Sequence, residues 1–232
     1  TAELGDQYFI QYGALPDRIH RYPFTSLYQS EIMTELLGKE EKKREKLKLK
    51  IPYDKIVISV GRFIEVKGFD IFIEACSTLN KSIGIYMIGG EPTDKYLQQK
   101  QQWNMTNLHF INHVNKETMK AYYRAADVFV LNSRGDTWGL VINEAMAFGL
   151  PVISSDKCYA ALALIENDKN GYIVSVDDVE GFRNKIKQLL THDDICKKMG
   201  INNLSKSRDY TIENMAAVEM KIVNQREYWE NE

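Results

Sequence analysis

Cysteine is scarce in this chain: three residues in 232, Cys76, Cys158 and Cys196, none in C-x-x-C spacing. That argues against a disulfide framework and for free thiols in a reducing compartment. There are four histidines, with no H-E-x-x-H and no Cys/His cluster, so a zinc centre has no basis. No apolar run approaches the roughly 20 residues a membrane helix needs, and no charged-then-apolar leader opens the chain. The net charge of −2 provides no global field to draw in nucleic acid or an anionic membrane. Neither G-x-G-x-x-G nor a Walker pattern occurs, so nicotinamide binding and P-loop hydrolysis lose support. Asn104-Met105-Thr106 and Asn203-Leu204-Ser205 match the glycosylation sequon, a motif short enough to recur by chance. Together these absences leave a reducing, cytoplasmic setting as the expectation.

What is present is a regular alternation of apolar runs and helical patterns. With 44% hydrophobic and 27% charged residues, one large α/β domain is expected. Runs rich in β-branched residues at 55–61 (KIVISVG) and 83–90 (IGIYMIGG) are predicted as strands buried on both faces. Further strands are predicted at 108–111, 127–133, 150–155 and 172–176. Helical spacing is expected over 68–79, 92–103, 116–126, 138–148, 179–190, 193–207 and 212–229, with Thr211 and Asn214 as a start signal for the last. Strands and helices alternating at this spacing imply a Rossmann-like, doubly wound parallel sheet of about six strands flanked by helices. Ligands in such sheets bind beyond the carboxyl ends of the strands, so the residues after each strand are the candidates.

Residues 1–30 carry aromatic and turn signals but no complete strand–helix unit, and look like the margin of something else. The first residue is Thr1, which suggests a processed or truncated chain, or a native leader that has lost its methionine. Residues 31–50 are predicted as a helix passing into a charged connector. The run Lys39 to Lys50 holds seven basic and three acidic residues. It suits a phosphate or membrane-surface patch, but a solvated linker or helix face is favoured because no apolar stripe accompanies it.

The loop after the first strand carries Gly61-Arg62-Phe63 and then Lys67-Gly68. Arginine offers a planar fork of donors and lysine a compact charge, and both suit phosphate oxygens; a salt-bridged surface loop is an equal alternative. Gly89 and Gly90 after the second strand permit close approach of backbone to a ligand, or simply make the turn. After the third strand, His113 is expected to be solvated and Val114 lies nearby. The stretch RGDTWGLVINEAMAFGLPVISSD, from Arg134 to Asp156, is the richest. Asp136 lies on the loop, Gly139-Leu140-Val141 present N–H groups at a helix start, and Glu144 lies roughly 7 Å further along the helix axis. A diphosphate carrying a sugar at one end and a ribose at the other spans a comparable distance. The competing assignment has Asp136 capping the helix and Glu144 complementing its dipole. Magnesium at Asp136 lacks an evident second carboxylate.

These residues resemble a known family. Asp136-x(7)-Glu144 within DTWGLVINEAMAFGLPVI is similar to the E-x(7)-E signature of retaining glycosyltransferases of family 4, enzymes of GT-B architecture with two facing Rossmann-like domains. VGRFIEVKGFDIFIEA (60–75), AYYRAADVFVLNS (121–133) and LIENDKNGYIV (164–174) fit the same pattern, in the same order, over about residues 55–191. The resemblance implies that Arg62 and Lys67 hold the donor diphosphate and that Glu144 accepts hydrogen bonds from the ribose. It implies that Asp136 contacts the donor sugar, with the Gly139-Leu140-Val141 amides approaching sugar or phosphate. Gly61, Gly90 and the backbone near Val114 would line the donor pocket. Trp138 would wall the sugar site or pack beneath the loop. No metal or other cofactor is implied, since side chains and a helix dipole stabilise the diphosphate. Two departures stand out: Asp136 is one methylene shorter than Glu, and the loop 156–160 lacks a glycine common in relatives, so Cys158 either faces the pocket or is a buried inert thiol.

The resemblance assigns the chain to the C-terminal half of a GT-B fold. Residues 1–30 would be a remnant of the N-terminal acceptor domain, 31–54 a linker, 55–210 the nucleotide-sugar donor domain, and 211–232 a helix returning towards the domain that is missing. The expected partners are a nucleotide sugar, that domain in cis, and a glycan or lipid-linked acceptor, in polysaccharide biosynthesis. Peripheral contact at the inner face of the membrane is left open for the full-length protein. Rival readings are a non-catalytic nucleotide-sugar binding module, a GT-B phosphorylase or sugar epimerase, and a protein-interaction scaffold.

Overall fold

A computed structural model describes residues 3–227. Its elements follow in order as α1 (Glu3–Gln11), α2 (Lys39–Lys48), β1 (Lys55–Val60), α3 (Phe69–Cys76), β2 (Ile83–Ile88), α4 (Asp94–Gln102), β3 (Leu108–Ile111), α5 (Lys116–Ala125) and β4 (Val128–Leu131). Then come α6 (Leu140–Ala147), β5 (Val152–Ser155), α7 (Tyr159–Leu164), β6 (Gly171–Val174), α8 (Val179–Thr191), α9 (Asp193–Ser207) and α10 (Ile212–Glu227). The six strands form one parallel sheet in the order β3-β2-β1-β4-β5-β6. Order reverses between β1 and β4, where the first crossovers lead one way along the sheet and the later ones the other. That reversal opens a crevice at the carboxyl end of the two strands.

Strand periodicity sorts the core into two layers, because successive side chains leave a strand on opposite faces. Ile56, Ile58, Phe129, Leu131 and Val152 join the layer beneath α5, α6 and α7. Val57, Val128, Val130, Ile153 and Met87 join the layer beneath α3 and α8. Burial on both faces explains why these strands carry no polar alternation. Thr93 and Asn115 cap α4 and α5 through their side-chain oxygens, and Thr211 Oγ1 accepts from Asn214 N at 3.2 Å at the start of α10, as its sequence signal suggested.

Three differences from the sequence reading have physical causes. The helix expected to pass into the charged run instead falls on that run, Lys39–Lys48, with Gly38 in extended conformation ahead of it and Glu41 accepting from its N–H at 2.8 Å. The charged run is not wholly solvated: Lys46 is buried, and Lys42 and Lys46 both pair with Asp127, at 3.0 and 3.2 Å. Asp127 also accepts from Ile56 N at 2.9 Å, so one carboxylate fastens α2 to the start of β1. Helix α7 was not foreseen, being a single short turn-and-a-half of alanine and leucine within a loop. Trp229, where the last helix was expected to end, lies outside the described residues.

Candidate functional site

The crevice at the β1/β4 reversal is bordered by the loop from Gly61 to Gly68 and the loop from Asn132 to Gly139. Each is held in a conformation that depends on glycine. Gly68 has φ of +64°, and a Cβ there would lie 2.1 Å from the carbonyl oxygen of Asn132. Gly139 has φ of +99°, and a Cβ there would lie 2.6 Å from Cys158 Sγ. Both glycines let a helix start tight against its neighbour, α3 on the end of β4 and α6 on the loop after β5.

This close approach brings together two of the expected residues. Lys67 Nζ donates to Asp136 Oδ2 across a sequence gap of 69 residues. Both side chains are largely withdrawn from solvent, 19% and 13% exposed. Asp136 does not cap α6, because Gly139 occupies the N-cap position and receives no side-chain bond. The N–H groups of Gly139, Leu140 and Val141 therefore donate to no backbone carbonyl among the described residues. A helix start with unspent donors beside a lysine favours an anion. Arg62 is exposed on the same loop as Lys67, and its side chain makes no hydrogen bond or ion pair with a described residue.

Glu144, on the second turn of α6, is half-buried. Its Oε2 accepts from Tyr123 Oη at 2.7 Å, and Tyr123 is itself buried and stacked on Phe148 with ring centroids 5.4 Å apart. Burial raises the Glu144 pKa, and the Tyr123 hydrogen bond partly opposes that rise. The tyrosine fixes one carboxylate oxygen and leaves Oε1 as an acceptor. Gly61 and Gly90 lie at the ends of β1 and β2, where Gly61 N donates to Ile88 O at 2.9 Å. Val114 is half-buried ahead of α5, and His113 is exposed.

Trp138 does not line the crevice. It is buried beneath the loop, donating from Nε1 to Asn143 Oδ1 at 2.8 Å and meeting Phe24 edge-on at 5.6 Å. Cys158 is the inert thiol: fully buried, donating to Trp138 O at 2.9 Å, with burial pushing its pKa up to about 11. Beneath Gly68, Asn132 keeps both side-chain polar atoms buried without partners, unmet capacity of the kind that concentrates at functional edges.

The sequence reading missed the groups that support these residues. Arg134 bonds Asp70 on α3 through both of its terminal nitrogens, at 2.9 and 3.1 Å. Tyr123 lay within the predicted helix 116–126 without any sign of a role. A cavity of about 880 Å³ lies at the opposite edge, near Lys42, Lys46, Arg124 and Asp127. It is distant from the loops that carry the crevice, and its buried ammonium is already neutralised by Asp127. Among the described residues no group of three or more His, Cys, Asp or Glu side chains is placed to hold a metal ion, and no helix is long and apolar enough to cross a membrane.

A Rossmann-like fold with an anion-receptive crevice at its switch point defines the class. The comparison with known proteins gives the family: residues 39–206 match the model of glycosyl transferases group 1, and the chain belongs to that family. It is 31% identical over 149 residues to the lipopolysaccharide core biosynthesis glycosyltransferase LpsE of Rhizobium meliloti, a match covering 63% of this chain and 43% of LpsE. In structure it is similar to a glycosyltransferase from Rickettsia africae, with a TM-score of 0.85 and 17% identity over 97% of this chain and 62% of that one. Anabaena HepE in complex with UDP and glucose gives a TM-score of 0.80 and 16% identity, covering 98% of this chain and 62% of that one. The chain thus spans less than half the length of LpsE and about three fifths of the two structures. Family and fold together make it a C-terminal domain of the GT-B type.

Proposed function

We propose that this chain is the donor-binding half of a retaining glycosyltransferase of family 4. It would take a sugar from a nucleoside-diphosphate sugar and, in the longer protein, pass it to a glycan or lipid-linked acceptor in polysaccharide biosynthesis. The observation that carries this reading is the meeting of Lys67, Asp136 and the free amides of α6 at one crevice. Lys67 and Arg62 supply positive charge for the diphosphate, which stabilises the leaving group as charge develops on it. Glu144, held by Tyr123, keeps an acceptor for the ribose hydroxyls. Asp136 is at hand for sugar hydroxyls. This division of labour uses side chains and a helix start and calls on no metal. The acceptor site belongs to a second domain in cis, so the isolated chain is expected to bind donor and transfer little. A cytoplasmic setting, with peripheral membrane contact through the longer protein, fits the same reading.

The relatives' association with UDP makes uridine nucleotides the first probes. A thermal-shift panel of UDP, GDP, ADP and their sugars should find one base that stabilises the fold. At a hundredfold excess over Kd the gain is about 2.7 kcal/mol, or roughly 5–11 °C in Tm for a domain of this size. Lys67→Ala should weaken that ligand about ten- to hundredfold, the loss of a hydrogen bond to a charged group. A panel with no stabilising nucleotide, or one indifferent to Lys67→Ala, would sink the proposal.

A further inference from the structure

We propose that Arg134 is a positioning residue for the donor diphosphate, holding Lys67 and Asp136 in register without touching the ligand itself; this rests on the donor-site reading above. Arg134 sits two residues before Asp136 in the loop after β4. Its backbone N–H donates to Val66 O at 2.7 Å, and the neighbouring Ser133 Oγ donates to the same oxygen at 3.0 Å. Its guanidinium makes four further bonds. Nη1 reaches Asp70 Oδ1 at 2.9 Å and Glu65 O at 3.1 Å, Nη2 reaches Asp70 Oδ2 at 3.1 Å, and Nε reaches Asp177 Oδ1 at 3.0 Å.

In sequence Lys67 lies between two of the acceptors, Glu65 on the first loop and Asp70 in the first turn of α3, and Asp136 lies just beyond Arg134 on the second loop. The guanidinium thus ties together the three segments that carry or flank the ion pair: the loop after β1 with the first turn of α3, the loop after β4, and the turn after β6. Asp70 also accepts from Lys95 at 2.9 Å. Burial alone would raise the Asp70 pKa, but the Arg134 and Lys95 hydrogen bonds hold it below the ordinary range. The clamp stays charged at neutral pH. A planar fork is required, because one ammonium cannot span Asp70, Glu65 and Asp177 at once.

The test measures UDP and UMP affinities by calorimetry on this chain and follows their ratio, which reports contact with the second phosphate. Lys67→Ala should collapse the ratio. Arg134→Ala and Arg134→Lys should each reduce it roughly tenfold or more, as misplacing a ligand-bearing group by about an ångström does. Neither should add to the loss already caused by Lys67→Ala in the double variant. Asp70→Asn, which removes the clamp's charge and keeps its shape, serves if Arg134→Ala fails to fold. Arg183→Ala, which removes comparable bonds to Glu74 O and Ala75 O, should lower Tm and leave the ratio unchanged. If Lys67→Ala leaves the ratio intact, the donor-site reading fails and this inference with it. If Lys67→Ala collapses it while Arg134→Lys binds as the parent does, or the two losses add, only the positioning role is overturned.

Discussion

Replacing Gly68 by alanine gives the sharpest test of how the crevice is assembled. Its φ of +64° places an L-residue in the left-handed region, at about 1–2 kcal/mol. The added Cβ would fall 2.1 Å from Asn132 O and 3.3 Å from Asn132 Cβ, whereas ordinary contact begins near 3.4 Å. The first of these neighbours is backbone at the end of β4, so no side-chain rotation can relieve it. Helix α3 must lift from the sheet by roughly 1 Å or more, an overpacking distortion of about 1–3 kcal/mol. The expected loss is therefore about 2–5 kcal/mol, or roughly 4–20 °C in Tm for a chain of this length. Urea unfolding followed by tryptophan fluorescence measures it directly. Gly90→Ala is the control: its Cβ meets only Phe63 ring carbons, at 3.9 and 4.0 Å, and should leave stability within about 0.5 kcal/mol. Because Lys67 precedes Gly68, the same lift should weaken nucleotide binding. If Gly68→Ala unfolds at the urea midpoint of the parent, the tight contact between α3 and β4 is wrong, and the crevice geometry with it.

Two further predictions concern charge. Burial raises the folded-state pKa of Glu144 above its ordinary value of 4.5, so the stability it contributes is present below that value and is lost as pH rises through the folded pKa. Glu144→Gln should therefore gain Tm relative to the parent at pH 7, with the gap closing near pH 4; a constant gap across that range would refute the assignment. Asp127→Ala leaves the buried Lys46 ammonium with Asp54 O as its remaining acceptor and frees Ile56 N. It should destabilise the fold by about 2–3 kcal/mol, below the loss for a fully buried pair because Asp127 is partly solvated. A change under 0.5 kcal/mol in urea unfolding would show that α2 does not depend on this carboxylate.

How much of this was legible beforehand depended on the range of the interactions. The six strands were readable because each is a short β-branched run buried on both faces, a local signal. Parallel strands joined by helices then restrict the topology, and the topology places the loops after β1 and β4 side by side. Lys67 and Asp136 could therefore be nominated together, although their ion pair spans 69 residues. The supporting groups were not readable. Nothing in the sequence near Arg134 announces Asp70, and a tyrosine on an amphipathic helix is nearly always core, so Tyr123 gave no sign that it serves Glu144. The lysine run misled because charge alone suggests solvation; only the fold shows that Asp127 stands opposite it. Trp138 could be read either as a wall of the sugar site or as packing beneath the loop, and only the fold decides for the second. Side-chain partners chosen by tertiary proximity leave no periodic trace.

The pairing of Lys67 with Asp136 also bears on how a donor would be recognised. A lysine withdrawn into a crevice is costly unless paired, and Asp136 supplies that pairing when no anion is bound. A diphosphate offers Lys67 more negative charge and more acceptors than one carboxylate, so it competes well for the ammonium. Once Lys67 turns to the phosphate, Asp136 loses its partner while a second anion has arrived nearby. A nucleoside diphosphate alone would leave that carboxylate uncompensated. A nucleotide sugar would not, because the sugar's hydroxyls can donate to it. Under the proposed reading, capture of the leaving group and recognition of the sugar are thus coupled through one ion pair. The aspartate's shorter reach fits this role, since it meets Lys67 across the crevice. Selectivity for the intact donor over its product would then arise from the cost of leaving Asp136 without a partner.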